Sequence, residues 1–177
     1  GRIYVTYTRN VASQVKMFAA NGKPRGEMAL PAIGSISGIS GRWKSEEIFY
    51  SFTSFVIPNT IYQLKAGAAN PTVWAKPNVP IASENFEVKQ VWCTSKDGTK
   101  VPMFVLHKKG LKLDGTNPAL LTGYGGFAVS LTPSFSSRAL LWAERGGVYA
   151  VANMRGGAEF GEEWHKAGMK EKKQNVF

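Results

Sequence analysis

Cysteine, histidine and acidic residues are all scarce in this chain of 177 residues: one Cys, two His, and 12 Asp and Glu against 22 Lys and Arg. A single cysteine excludes an internal disulfide and suits a reducing compartment. Cys93 has no histidine near it in sequence, so it reads as a small buried strand residue and not as a nucleophile. His107 and His165 stand in no spacing of the H-E-x-x-H kind and read as structural or surface residues, so no metal is expected. The shortage of acid leaves a net charge of +10. The bases are scattered, with Lys108, Lys109 and Lys112 in one stretch and Lys166, Lys170, Lys172 and Lys173 in another. No nucleic-acid reader motif accompanies them, so nucleic acid is not an expected partner. No apolar run is long enough to span a bilayer, and no low-complexity tract suggests disorder. A secretory signal is missing too, because Gly1-Arg2 leads straight into a strand-like pattern. That start, and an end at Val176-Phe177 inside a helical pattern, predict a piece of a longer chain. A cytoplasmic location is expected, with periplasm and secretion left open.

What is present begins with a core: 44% of the residues are hydrophobic, enough for one domain or two small ones. The stretch that organises the rest is Gly123-Tyr124-Gly125-Gly126-Phe127. It follows a short apolar run, Ala119-Leu120-Leu121, and precedes a helix-like segment ending near Arg145. Glycines allow a sharp turn, and the two aromatics are displayed at the mouth of a sheet, where α/β proteins bind ligands.

Residues before Pro80 form a different module. Ile3 to Thr8 lines up with Ile48 to Thr53, and Asn21-Gly22 with Ala66-Gly67, each forty-five positions apart. Between them, Gln14 to Phe18 matches Thr60 to Leu64. Each unit is a strand, a loop, a strand, a glycine turn and a third short strand, rich in aromatic and β-branched residues. This period fits β-propeller blades, or else a coincidental pair of β-meanders. Asn78-Val79-Pro80 breaks the pattern, which predicts one domain over 1–79 and another over 80–177.

The second module reads as the N-terminal half of an α/β-hydrolase sheet. Phe86 to Cys93 alternates like an edge strand, Asp97-Gly98 marks a hairpin turn, and Val101 to His107 returns. Lys108 to Asn117 is a basic, polar surface loop. Pro118 to Thr122 reads as a central buried strand. Ser136 or Ser137 caps a helix running to about Arg145, with Leu140, Leu141 and Trp142 packed on the sheet and Gly146-Gly147 ending it. Val148 to Asn153 is a further buried strand, completing a parallel crossover. Beyond Arg155-Gly156-Gly157, the residues Glu162, Glu163 and Lys166 lie at helical spacing and form a solvated face.

Two chemistries suit the glycine loop. Gly123-x-Gly125-x-x-Ala128 fits a variant dinucleotide fingerprint. However, Val129 to Ser134 makes a poor first helical turn, Pro133 falls in the second, and Asn153 and Arg155 stand where a ribose-binding acid belongs. The alternative is an oxyanion site. The hydroxyl of Tyr124, held by flanking glycines, can act as a donor to a tetrahedral intermediate. Spacing alone leaves Tyr124 equally open to a structural role at the sheet edge.

Several long motifs, in order, resemble the prolyl oligopeptidase family. They are Ser95 to Phe104, Gly123 to Phe127, Ala152 to Gly157, Gly161 to Gly168 with Lys173-Gln174-Asn175, and Phe49 to Phe55. The resemblance implies a serine peptidase cutting short peptides after proline, monomeric as a full-length protein. Its propeller would cap an α/β-hydrolase domain. Tyr124 would donate to the oxyanion, and Phe127 would line the pocket for the proline ring, an aromatic face suiting a rigid apolar ring. No cofactor is implied. An acyl transfer to an amine, giving a macrocyclic peptide, or a non-catalytic interaction protein would use the same scaffold.

The chain departs from the family pattern. The Gly-Gly-Ser-Asn-Gly-Gly elbow that carries the nucleophile does not occur, and Gly34-Ser35-Ile36-Ser37-Gly38 puts isoleucine where serine is needed. His107 and His165 match no triad position. Ala128 replaces an asparagine, and Ser136-Ser137-Arg138 is one residue short of the usual Phe-Ser-x-Ser-Arg. The segment is therefore expected to lack every triad residue and to be inactive alone.

Overall fold

The structure is a computed structural model that describes residues 1–68 and 70–177. The chain divides into two compact units, Gly1–Pro80 with Pro133–Phe135, and Ile81–Thr132 with Ser136–Phe177.

The first unit contains two antiparallel sheets. Strands β1 (Arg2–Arg9), β2 (Ala12–Ala19) and β3 (Pro24–Glu27) form one, and β4 (Ser35–Ser40), β5 (Glu47–Thr53), β6 (Thr60–Lys65) and β7 (Thr72–Ala75) the other. The β1–β2 hairpin turns at Asn10 and Val11, both at positive φ (48° and 69°), the backbone twist favoured between two strands. Left-handed backbone is costly for a β-branched residue, and here complete burial of the Val11 side chain offsets it. In β5 and β6 every second residue turns inward, giving Tyr50, Phe52, Tyr62 and Leu64. They join Val15 and Met28 in a core between the sheets. The Tyr50 and Tyr62 rings stack with centroids 5.4 Å apart. Burial, and then Tyr62, pushes the Tyr50 hydroxyl up to about 12, so this phenol stays neutral.

The repeat is visible as β1-β2-β3 against β5-β6-β7, but the second sheet has a fourth strand that the sequence reading leaves as a glycine cluster. Strand β4 pairs with β5 and bulges between Ser37 and Ile39, where Gly38 adopts a φ of +68°. The bulge breaks the alternation of Ile36 and Ile39 and hides the strand from a period of two.

In the second unit, a 3-10 turn (Ser83–Asn85) leads into β8 (Phe86–Thr94) and β9 (Lys100–Lys108), an antiparallel hairpin. Its turn closes through Gly98 N–H to Ser95 O (2.9 Å) and Ser95 N–H to Thr99 O (2.9 Å). Strand β10 (Ala119–Gly123), helix α1 (Ser137–Glu144) and strand β11 (Val148–Ala152) follow, giving the order β10-β11-β9-β8. Strands β10 and β11 are parallel, as a crossover requires. Ser136 caps α1, its Oγ accepting from Ala139 N–H at 3.2 Å, and Gly146 ends it at a φ of +86°. Helix α2 (Glu162–Lys166) and a 3-10 helix (Lys170–Val176) complete the unit. On α2, Lys166 pairs with Glu162 and Glu163 on an exposed face. The chain thus joins β-propeller blades to the start of an α/β-hydrolase sheet.

Three sequence expectations are corrected here. Among the described strands β10 stands at the edge of the sheet, where the sequence reading expects a central place, and Leu121 is 68% exposed there. The inward face of α1 is Ala139, Leu140 and Ala143, while Leu141 points out. The helix begins at Ser137, which rotates that position away from the sheet. Cys93 is exposed, not buried, lying on edge strand β8 with its thiol donating to Val101 O at 3.3 Å. Among the described residues no helix is long and apolar enough to cross a membrane.

Gly34 tests the packing of the first unit. A Cβ there would collide with the Phe52 ring and the Thr53 carbonyl oxygen. The Gly34→Ala variant of the full-length protein is expected to lose about 1–3 kcal/mol of stability, read as a lower denaturation midpoint; an unchanged midpoint would contradict the packing described.

Candidate functional site

Tyr124 follows the carboxyl end of β10, and the backbone on either side of it has no room for a side chain. At Gly123 a Cβ would lie 2.6 Å from Met154 Cε and 2.9 Å from Ala152 O, and at Gly125 it would lie 2.8 Å from Arg155 O. Gly125 is also at a φ of +59°. Both positions therefore exclude a side chain for want of space, and Gly125 does so also by its backbone conformation. Tyr124 itself is 50% exposed, and its hydroxyl makes no hydrogen bond among the described residues. Phe127 is 87% exposed, with it and Ala128 at φ of +51° and +54°. Consecutive left-handed residues that are not glycine need support from their surroundings.

That support comes from the segment after β11. Ala128 N–H donates to Gly156 O at 3.1 Å and Val129 N–H to Gly126 O at 3.0 Å. His165 Nδ1 lies 2.7 Å from Gly156 O and 3.2 Å from Ala128 N. A carbonyl only accepts, so Nδ1 carries the proton and donates to Gly156 O. Leu131 is gripped at both backbone groups: its N–H donates to Glu159 Oε1 (3.0 Å) and its carbonyl accepts from Asn153 Nδ2 (2.9 Å). Asn153 is fully buried and Glu159 nearly so. The two side chains do for an irregular loop what a neighbouring strand does for a sheet.

Arg155 joins this segment to the β8–β9 hairpin. Its guanidinium is buried and donates to Asp97 Oδ2, to Ser95 Oγ at 2.9 Å and to Thr99 Oγ1 at 3.3 Å. Only a planar fork with several donors can serve three acceptors of one turn at once. The hydrogen bond from Arg155, and then those from Thr99, pull the Asp97 carboxyl down to about 2.

The loop is not a dinucleotide site, since irregular backbone runs from Tyr124 to Ser136 and the first helix after it starts at Ser137. His107 is buried on β9, with Nδ1 2.9 Å from Lys108 O. A cleft of about 540 Å³ on the β4–β7 sheet is lined by Phe49, Tyr50, Ile61 and Trp74 and holds no nucleophile–base pair. Among the described residues no cluster of His, Cys, Asp and Glu could hold a metal ion. What the arrangement offers is a phenol donor and an exposed aromatic ring on one tightly held loop.

The model of the N-terminal β-propeller domain of prolyl oligopeptidase matches residues 1–77, and that of the prolyl oligopeptidase family matches residues 133–177. The chain belongs to the prolyl oligopeptidase family. It is 45% identical over 177 residues to the prolyl endopeptidase of Elizabethkingia meningoseptica, covering all of this chain and 25% of that protein. It is 39% identical over 182 residues to the dual function macrocyclase-peptidase POPB of Amanita bisporigera, again covering all of this chain and 25% of that one. The solved structure of apo prolyl oligopeptidase B from Galerina marginata matches with a TM-score of 0.91 at 37% identity, over 99% of this chain and 26% of that one. A structure from a mechanistic study of two prolyl endopeptidases matches with a TM-score of 0.84 at 46% identity, over 99% and 26%. The chain spans about a quarter of the length of the curated relatives it matches.

Sequence reasoning singles out Tyr124 and Phe127 but misses what holds them. Arg155, Asn153, Glu159 and Lys173 are neither adjacent to the loop nor periodic with it. The one available signal is that Ser95-Lys96-Asp97-Gly98-Thr99 and Arg155-Gly156-Gly157 both stand among the family-like motifs, and the structure shows them to be two halves of one contact.

The Asp97 carboxyl, depressed from 3.8 to about 2, contributes stability that is complete above its unfolded value and is lost as pH falls through the folded one. Thermal melts of wild type and Asp97→Asn are therefore expected to converge between about pH 4 and pH 2. A gap independent of pH across that window would show that the ion pair does not hold the turn.

Proposed function

We propose that this chain is part of a serine-type endopeptidase that cleaves short peptides on the carboxyl side of proline. The observation that carries the proposal is the Tyr124 phenol, whose hydroxyl has no hydrogen-bond partner among the described residues and which stands between two glycines at the carboxyl end of a parallel strand pair. A tetrahedral intermediate of acyl transfer develops negative charge on the former carbonyl oxygen, and a preorganised O–H donor stabilises that charge without reorganising at the moment of reaction. Phe127, on the same loop, offers an aromatic face to the ring of a proline residue. The covalent step belongs to a serine that these 177 residues do not supply in the required elbow. The 177 residues alone are accordingly expected to turn over no prolyl ester.

A second reading is favoured by the relatives described as dual function macrocyclase-peptidases. Both outcomes share the acyl-enzyme and the oxyanion, and differ in whether water or an amine takes the acyl group. Tyr124 has the same part in either. Product analysis on the full-length protein separates them.

The Tyr124→Phe variant of the full-length protein is expected to lose about a hundredfold in kcat with KM little altered, because the donor acts on charge that exists only in the transition state. Unchanged turnover would remove Tyr124 from the oxyanion site.

A further inference from the structure

The stretch Lys173-Gln174-Asn175 resembles the family but has no part in the chemistry above. We propose that Lys173 is a positioning residue of the Tyr124 loop, setting the orientation of the peptide that follows Tyr124's neighbour Gly125. The proposal rests on the reading of Tyr124 as the oxyanion donor.

A 3-10 helix has three residues per turn, so side chains three apart leave the same face. In Lys170–Val176 those are Lys173 and Val176, and both reach Gly125. Val176 is 5% exposed, and its Cγ1 stands 2.5 Å from the place a Gly125 Cβ would take. Lys173 Nζ donates to Gly125 O at 2.7 Å, a charge-assisted bond. Asn175 Nδ2 donates to Ala167 O at 3.0 Å and fastens the 3-10 helix to the end of α2. Lys173 takes part in none of the ion pairs among the described residues. Its other neighbour is the Phe177 ring, 5.7 Å from Nζ to the centroid.

The peptide plane explains why one carbonyl matters. In a trans peptide the C=O and the following N–H point in opposite directions. Drawing Gly125 O toward Lys173 therefore fixes the Gly126 N–H on the far side and with it the path of the chain into Phe127.

The test compares Lys173→Met, Lys173→Arg, Tyr124→Phe and the Lys173→Met/Tyr124→Phe double variant, all in the full-length protein. Hydrogen exchange of the Ala128 and Val129 amides is expected to be about tenfold faster in Lys173→Met, with the melting temperature nearly unchanged. Its kcat is expected to fall about tenfold with KM within about twofold, and Lys173→Arg to recover most of both losses. Because Lys173 acts through Tyr124, the double variant should fall within about twofold of Tyr124→Phe alone. Unaltered exchange and turnover in Lys173→Met overturn the proposal, as does a double variant that loses the product of the two single effects. Faster exchange in Lys173→Met beside a fully active Tyr124→Phe supports the positioning role and rejects only the oxyanion reading.

Discussion

Three stretches of backbone meet with no side chain between them, and the second unit depends on that contact. A Cβ on Gly156 would collide with the Gly125 carbonyl oxygen, and one on Gly168 would lie 2.5 Å from Arg155 C and Gly156 N. The loop after β10, the segment after β11 and the turn after α2 are thereby stacked chain on chain. Such an approach brings carbonyls and N–H groups within reach of one another, and the bonds follow: Gly156 N–H to Trp164 O at 2.9 Å and Ala128 N–H to Gly156 O at 3.1 Å. Apolar burial alone could not place a loop this tightly, because dispersion is not directional, whereas opposed backbone dipoles are.

Side chains then lock what the glycines permit. Arg155 carries a buried charge, which is costly unless it is well paired, and all its partners lie in one hairpin turn. Asn153 and Glu159 are also buried, and their hydrogen bonds go to the backbone of Leu131. Each of these polar groups gives up water for a single geometry, so the loop bearing Tyr124 has little freedom to search. Preorganisation of this kind is what an oxyanion donor needs, since any energy spent on orienting it during reaction is subtracted from catalysis.

How much of this could be seen in the sequence follows from the range of the interactions. The strands of the first unit were legible because alternation is local: Tyr50 and Phe52, like Tyr62 and Leu64, face the core two positions apart. Strand β4 was not, because the bulge at Gly38 interrupts its period. Helix α1 announced itself through Ser136 and Gly146, both local signals, yet which of its apolar residues faced inward depended on a starting point that a cap fixes only to within a residue. Tyr124 and Phe127 stood out by their glycines. Their supports did not, since Asp97 and Arg155, or Gly125 and Lys173, are joined only by the fold.

The strand order has a consequence for how the molecule is made. Strand β11 lies between β9 and β10, although it is the last of the three in sequence. The β8–β9 hairpin can close from neighbouring residues, but among the described strands β10 has no partner until the chain has run through α1 and returned. During synthesis, then, Leu120, Leu121 and the tyrosine loop emerge from the ribosome ahead of the strand that anchors them. The Tyr124 loop belongs to the late-folding part of this sheet, and among the described strands its apolar strand has no partner until α1 and β11 appear.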